Sequence, residues 1–68
     1  MGGGAFWGDT DNLSFIEEKH GTGYALDVFD RKEKRIVDTI TVPQAEDLAE
    51  KLKIWAETTR EGGHYKGK

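Results

Sequence analysis

The chain has no cysteine in its 68 residues, so no disulfide can staple it, and the redox state of its compartment leaves no mark on it. Histidine is nearly absent too. His20 and His64, with no thiolate beside them, fall short of a structural zinc site. Serine occurs once, at Ser14, inside a segment that reads as a strand. Enzymes need a nucleophile with a base, a metal, or paired carboxylates in a pocket. Glu17 and Glu18 are neighbours, but on a strand they point to opposite faces. The expectation is therefore no catalytic residue, no cofactor, no metal and no small-molecule substrate.

No run of 18 apolar residues is present, so no segment is expected to span a membrane. The start lacks the basic and apolar regions of a signal peptide. Met1-Gly2 opens like a myristoylation signal, but Phe6 stands where that signal wants Ser or Thr. A cytoplasmic location is the expectation. Three motif fragments fail on their neighbours. Gly21-Thr22-Gly23 lacks the third glycine and the following helix of a phosphate-binding loop. Asp9-Thr10-Asp11-Asn12 begins like a calcium loop, but Leu13 and Ser14 occupy positions that need an oxygen ligand and a glycine. Asn12-Leu13-Ser14 matches a glycosylation sequon and has no secretory context.

What the chain does have is an amphipathic helix at about Thr41–Arg60. Ala45, Leu48, Ala49, Leu52, Trp55 and Ala56 recur with helical spacing and form one stripe. Thr41 and Gln44 have capping-box spacing, and the only proline, Pro43, falls in the first turn, where its missing N–H costs nothing. Gly62-Gly63 marks the stop, and Arg60 suits the negative end of the dipole. Ile54 lies off the stripe, among Asp47, Glu50, Lys51 and Thr58.

Ahead of the helix come three strand signals. Residues 13–19 alternate weakly, 24–30 alternate cleanly, and 36–42 are rich in β-branched side chains. His20-Gly21-Thr22-Gly23 reads as a hairpin loop, and Arg31-Lys32-Glu33-Lys34-Arg35 as a charged hairpin tip. Leu13, Phe15, Tyr24, Leu26 and Val28 share the face that the helix is expected to cover. In the third segment Ile36, Ile40 and Val42 share a face with Asp38, which calls for a bulge near Asp38 or an edge position. The expected fold is α+β: a three-stranded antiparallel meander packed on one C-terminal helix, βββα. Phe6-Trp7 has the makings of a short extra N-terminal strand. Residues 1–8 form a flexible glycine-rich arm, 9–61 the single domain, and 62–68 a basic tail.

Charge is uneven along the chain. Residues 1–30 hold six acids and one base, and 31–42 hold four bases and two acids, within a total of −3. That balance argues against coating nucleic acid by charge alone. A chain of this length buries only about 60% of its unfolded surface. Small domains add disulfides, a metal or a partner subunit, and a partner is the one left open here.

One helix covers one sheet face, so Ile16, Phe29 and Val37 on the other face remain candidate interface residues, together with Ile54 and the arm residues Phe6 and Trp7. The first reading is a small, non-catalytic protein-interaction or regulatory module that binds itself as a homodimer or another protein. The alternative is nucleic-acid binding through Arg31, Lys32, Lys34 and Arg35, with Phe6-Trp7 stacking on bases. A third reading is an acidic inhibitor that mimics nucleic acid through Asp9, Asp11, Glu17 and Glu18.

Overall fold

A computed structural model describes residues 4–67; residues 1–3, the start of the expected arm, and residue 68, the end of the expected tail, lie outside the described residues. The chain forms β1 (Phe6–Asp9), β2 (Leu13–His20), β3 (Gly23–Asp30), β4 (Arg35–Ile40) and α1 (Val42–Thr59). The strands make one antiparallel sheet in the order β1-β2-β3-β4, a plain meander. The α+β class and the short N-terminal strand at Phe6-Trp7 are as expected.

Each connection has a local cause. β2 and β3 are joined by Gly21-Thr22 alone, with His20 opposite Gly23. Gly21 takes φ +62°, and Thr22 is not forced into the left-handed region. That is the pattern of a II′ turn, whose twist matches that of the strands. At the next hairpin Asp30 organises the tip. Its Oδ1 accepts from the backbone N–H of Lys32 (2.8 Å) and Glu33 (3.1 Å), and its carbonyl accepts from Lys34 N–H (2.6 Å). Lys34 completes the loop at φ +61°. β1 joins through a close approach. Ala5 O accepts from Glu17 N–H (2.7 Å), and a Cβ on Gly4 would lie only 1.1 Å from Glu17 O. A side chain at position 4 would therefore push this segment off β2.

Arg31 holds the β1–β2 loop to the start of the charged tip. Its guanidinium donates to Ser14 Oγ (2.8 Å), to Leu13 O (3.0 Å) and to the carbonyls of Thr10 and Asp11. Its backbone N–H donates to Asn12 O (2.8 Å).

β4 differs from the expected third strand at both ends of its pattern. It stops at Ile40 rather than residue 42, because Thr41 is already the helix cap and Val42 the first helical residue. The register shifts between Val28, opposite Asp38, and Phe29, opposite Ile36, so Val37 is the extra residue of a bulge. The bulge sends Ile36 to the face of Phe29 and leaves Ile40 with Asp38 on the face of Leu26 and Val28. Asp38 is thus accommodated twice over, by the bulge and by its edge strand. Its carboxylate accepts from Thr39 N–H at 2.8 Å.

The capping box at the start of α1 forms as read. Gln44 N–H donates to Thr41 Oγ1 (3.4 Å), and Thr41 N–H to Gln44 Oε1 (2.9 Å). Asp47 and Lys51 pair at 3.0 Å on the outer side. The helix ends at the Arg60 cap, with Gly63 in the left-handed region just beyond it.

The expected packing of this helix over the sheet is not what the structure has. Among the described residues, substantial contacts run only between neighbouring strands, and no residue of α1 is buried. Leu48, Leu52 and Trp55 are 44%, 54% and 62% exposed. The cause is the connection. One extended residue, Thr41 (φ −83°, ψ 167°), separates β4 from α1, and a helix needs a longer loop to double back over its own sheet. Instead α1 runs on from the strand end, and the molecule measures 44 × 27 × 16 Å.

Arg31→Ala should remove the loop brace and lower the unfolding free energy by about 1–3 kcal/mol. Arg31→Lys should recover little of it, since one ammonium cannot serve the same fork of acceptors. Urea unfolding at equal protein concentration measures both.

Candidate interaction surface

Three apolar surfaces of this molecule lack a covering layer. The first is the α1 stripe. Ala45, Leu48, Leu52, Trp55 and Thr59 follow one another at intervals of three, four, three and four. That is the seam spacing of a helix that pairs with another helix. Ala49 and Ala56 flank the seam and permit close approach. Ile54 is exposed but sits outside it.

The second is the sheet face formed by Leu13, Phe15, Leu26, Val28 and Ile40, the one the helix was expected to cover. Opposed residues across strands share a face, which places Phe15 with Val28 and Leu26 with Ile40. Among the described residues Val28, 6% exposed, is the only buried apolar one. Where this face meets the first turn of α1, an open groove of about 310 Å³ is lined by Tyr24, Leu26, Ile40, Val42 and Ala45, with Glu17 at its rim. Trp7 Nε1 donates to Glu17 Oε1 at 2.8 Å, so the indole edge reaches this side while the ring stays exposed.

The third is the opposite face. It brings together Phe6 with Ile16, and Phe29 with Ile36. Ile16 and Phe29 are half-buried, and Phe6, Ile36 and the bulge residue Val37 are exposed. This face is divided by polar groups. Asp27, buried at its centre, accepts from His20 Nε2 (2.8 Å) and Thr39 Oγ1 (3.0 Å). Ser14 and Arg31 close its far end.

The Asp27 cluster has no motif in the sequence to announce it. His20 reads as a turn residue and Asp27 as an acid in the middle of a strand, and only the two-residue turn brings them into contact. The alternation of β3 puts Asp27 on the second face, which is the one signal the chain offers.

The basic candidates are dispersed. Arg31 is spent on the loop, with Asp9 beside it at 3.4 Å, and Arg35 pairs with Glu33 at 3.0 Å. Lys32 and Lys34 are exposed on the tip. In the tail, a ring nitrogen of His64 donates to Arg60 O (3.0 Å), and Tyr65 lies near Trp55 and Ala56. No family model, curated protein or solved structure matches the chain.

The sum of these surfaces can be judged against size. A compact folded chain of 7.6 kDa exposes about 4,300 Å², and this one exposes 5727 Å². Its radius of gyration is 14.2 Å, against about 11 Å for a compact chain of this length. The excess surface, roughly 1,400 Å², belongs to the extended chain as a whole, the helix standing off the sheet and the open tail together.

Two acids on strands should differ in what their removal costs. Asp27→Ala strips His20 and Thr39 of their acceptor at a part-buried site and should cost about 1–3 kcal/mol. Asp38→Ala on the exposed edge should stay within about 0.5 kcal/mol. Paired urea curves read the contrast.

Proposed function

We propose that this chain is a small non-catalytic module for protein–protein interaction, of the accessory or regulatory kind, and that it works as a homodimer. The observation that carries this is the α1 stripe: Leu48, Leu52 and Trp55 are 44%, 54% and 62% exposed on one seam, in a fold that exposes more area than a compact monomer of its mass. A single sheet layer with one buried apolar residue holds little hydrophobic free energy, since stabilisation scales with the apolar area removed from water. A second subunit supplies a cover for the exposed α1 stripe. The sheet face with Phe6, Ile16, Phe29 and Ile36 then remains for a target protein, with Val37 at its edge.

The nucleic-acid alternative draws less support. Two of its four cations, Arg31 and Arg35, have intramolecular partners. Lys32, Lys34 and the exposed Phe6 and Trp7 are what it retains. The mimicry alternative is weakened likewise. Asp9 faces Arg31, Glu17 takes the Trp7 N–H, and Glu18 accepts from Gly4 N–H at 3.2 Å.

Light scattering across a dilution series, at low and high salt, tests the proposal. The expected mass is about twice that of one chain, with little salt dependence, because the seam is apolar. A chain that stays folded and monomeric at micromolar concentration overturns it. Phe29→Glu is expected to keep the dimer and its helical circular dichroism while changing target binding.

A further inference from the structure

We infer that α1 of one copy pairs antiparallel with α1 of a second, and that each Trp55 inserts into the groove above the other copy's Ala45. This rests on the homodimer reading and specifies its interface.

Residue size rises along the seam from Ala45 to Trp55. Its four inner positions run Ala45, Leu48, Leu52, Trp55: small, medium, medium, large. In a parallel pair each residue meets its own copy, so Trp55 crowds Trp55 while Ala45 leaves a gap against Ala45. In an antiparallel pair about an axis beside residue 50, Leu48 meets Leu52 and Trp55 meets Ala45. The large residue falls on the small one at both ends, as dense packing requires. That axis lies at the middle of Val42–Thr59, so the pairing uses the whole helix, about 27 Å of it.

The second observation is independent of the seam. Ala45 is not merely small; it lies in the open apolar groove at the junction of sheet and helix. Tyr24, Leu26, Ile40 and Val42 are its walls, a fit for a flat aromatic ring. A buried indole N–H needs an acceptor. The Glu17 carboxylate at the rim offers lone pairs beyond the one that Trp7 uses.

A third consideration is bulk. The sheet ends one residue before the helix begins. Parallel helices at the usual 8–10 Å separation would set both sheets side by side at one end. The antiparallel pair sends them to opposite ends. Lys51, which flanks the seam near the axis, is already paired with Asp47, which tempers its approach to the other copy's Lys51.

The absence of cysteine makes the test clean. Single-cysteine variants A49C and L52C are oxidised in the full-length chain and read by non-reducing electrophoresis. The antiparallel pair brings the two copies of residue 49 together across the axis and keeps the two copies of residue 52 apart, so A49C should give covalent dimer in large excess over L52C. The parallel pair predicts the reverse. The groove is tested by a swap. A45W fills it and should weaken dimerisation at least tenfold, and A45W/W55A, which exchanges large for small, should restore it. Ile54→Glu, outside the seam, should leave the mass unchanged. A dimer in which L52C links better than A49C, or neither links, overturns this arrangement while leaving the homodimer reading intact. A dimer that the swap does not restore removes the groove contact. A folded monomer overturns both.

Discussion

One constraint governs this molecule: a meander of four strands is a single layer, and a single layer has two faces and nothing of its own to put against them. A domain holds together because an apolar face is removed from water by a second layer. Among the described residues the only other element is α1, and α1 stands off the sheet. What the chain does supply internally is polar. Asp30 caps the tip, Arg31 ties the loop, and Asp27 gathers His20 and Thr39. These bonds fix shape and register, but each is worth only about 1 kcal/mol net, too little to replace a core.

The position of α1 turns on one residue. Thr41 ends β4 and caps the helix at once, leaving no slack for a reversal. Had several residues separated Ile40 from Val42, the stripe from Ala45 to Trp55 would have had the reach to lie over Leu26 and Val28. The same stripe then has two destinations open to it, its own sheet or another chain, and the connection length selects between them. The large members of the stripe, Leu48, Leu52 and Trp55, keep the intervals of four and three of a helix that meets a helix, while Ala49 and Ala56 widen it.

Much of the architecture is legible in the sequence because it is written in local chemistry. Glycine at position 21, the Thr41–Gln44 box and the alternation of β3 each act over a few residues, and each forms as read. The bulge near Asp38 is legible too, since an acid on the apolar face of a β-branched strand needs a register break or an edge to reach water. What cannot be read is non-local. Arg31 sits in a run of charges that looks like a solvated tip, and nothing in its neighbours indicates that it reaches back to Ser14 and the carbonyls of residues 10, 11 and 13. His20 and Asp27 are seven apart and meet only because the turn between their strands has two residues. The stripe itself reads correctly as apolar, but amphipathicity says that a face is buried somewhere, not against what. The candidate surface follows the same division: Ile16 and Phe29 are identifiable by alternation and Phe6 as an aromatic of the N-terminal arm, whereas Ile36 joins them through a register shift.

The edges of the sheet bear on which surface a second copy would use. An open strand edge is the commonest route by which one sheet recruits another. β4 discourages it: the bulge at Val37 breaks the ladder, and Asp38 occupies the Thr39 N–H while placing a carboxylate on the edge. β1 is only four residues long and interrupted between Phe6 and Gly8. Edge-to-edge growth would be open-ended, since each added copy presents a new edge. Pairing through α1 closes after two copies, because each seam is used up by the other. A chain with blunted edges and one intact, self-matching seam is therefore biased toward a closed dimer over a fibre. Pairing through α1 would also leave both faces of the sheet, Leu26 and Val28 on one and Ile16 and Phe29 on the other, largely outside the helix seam.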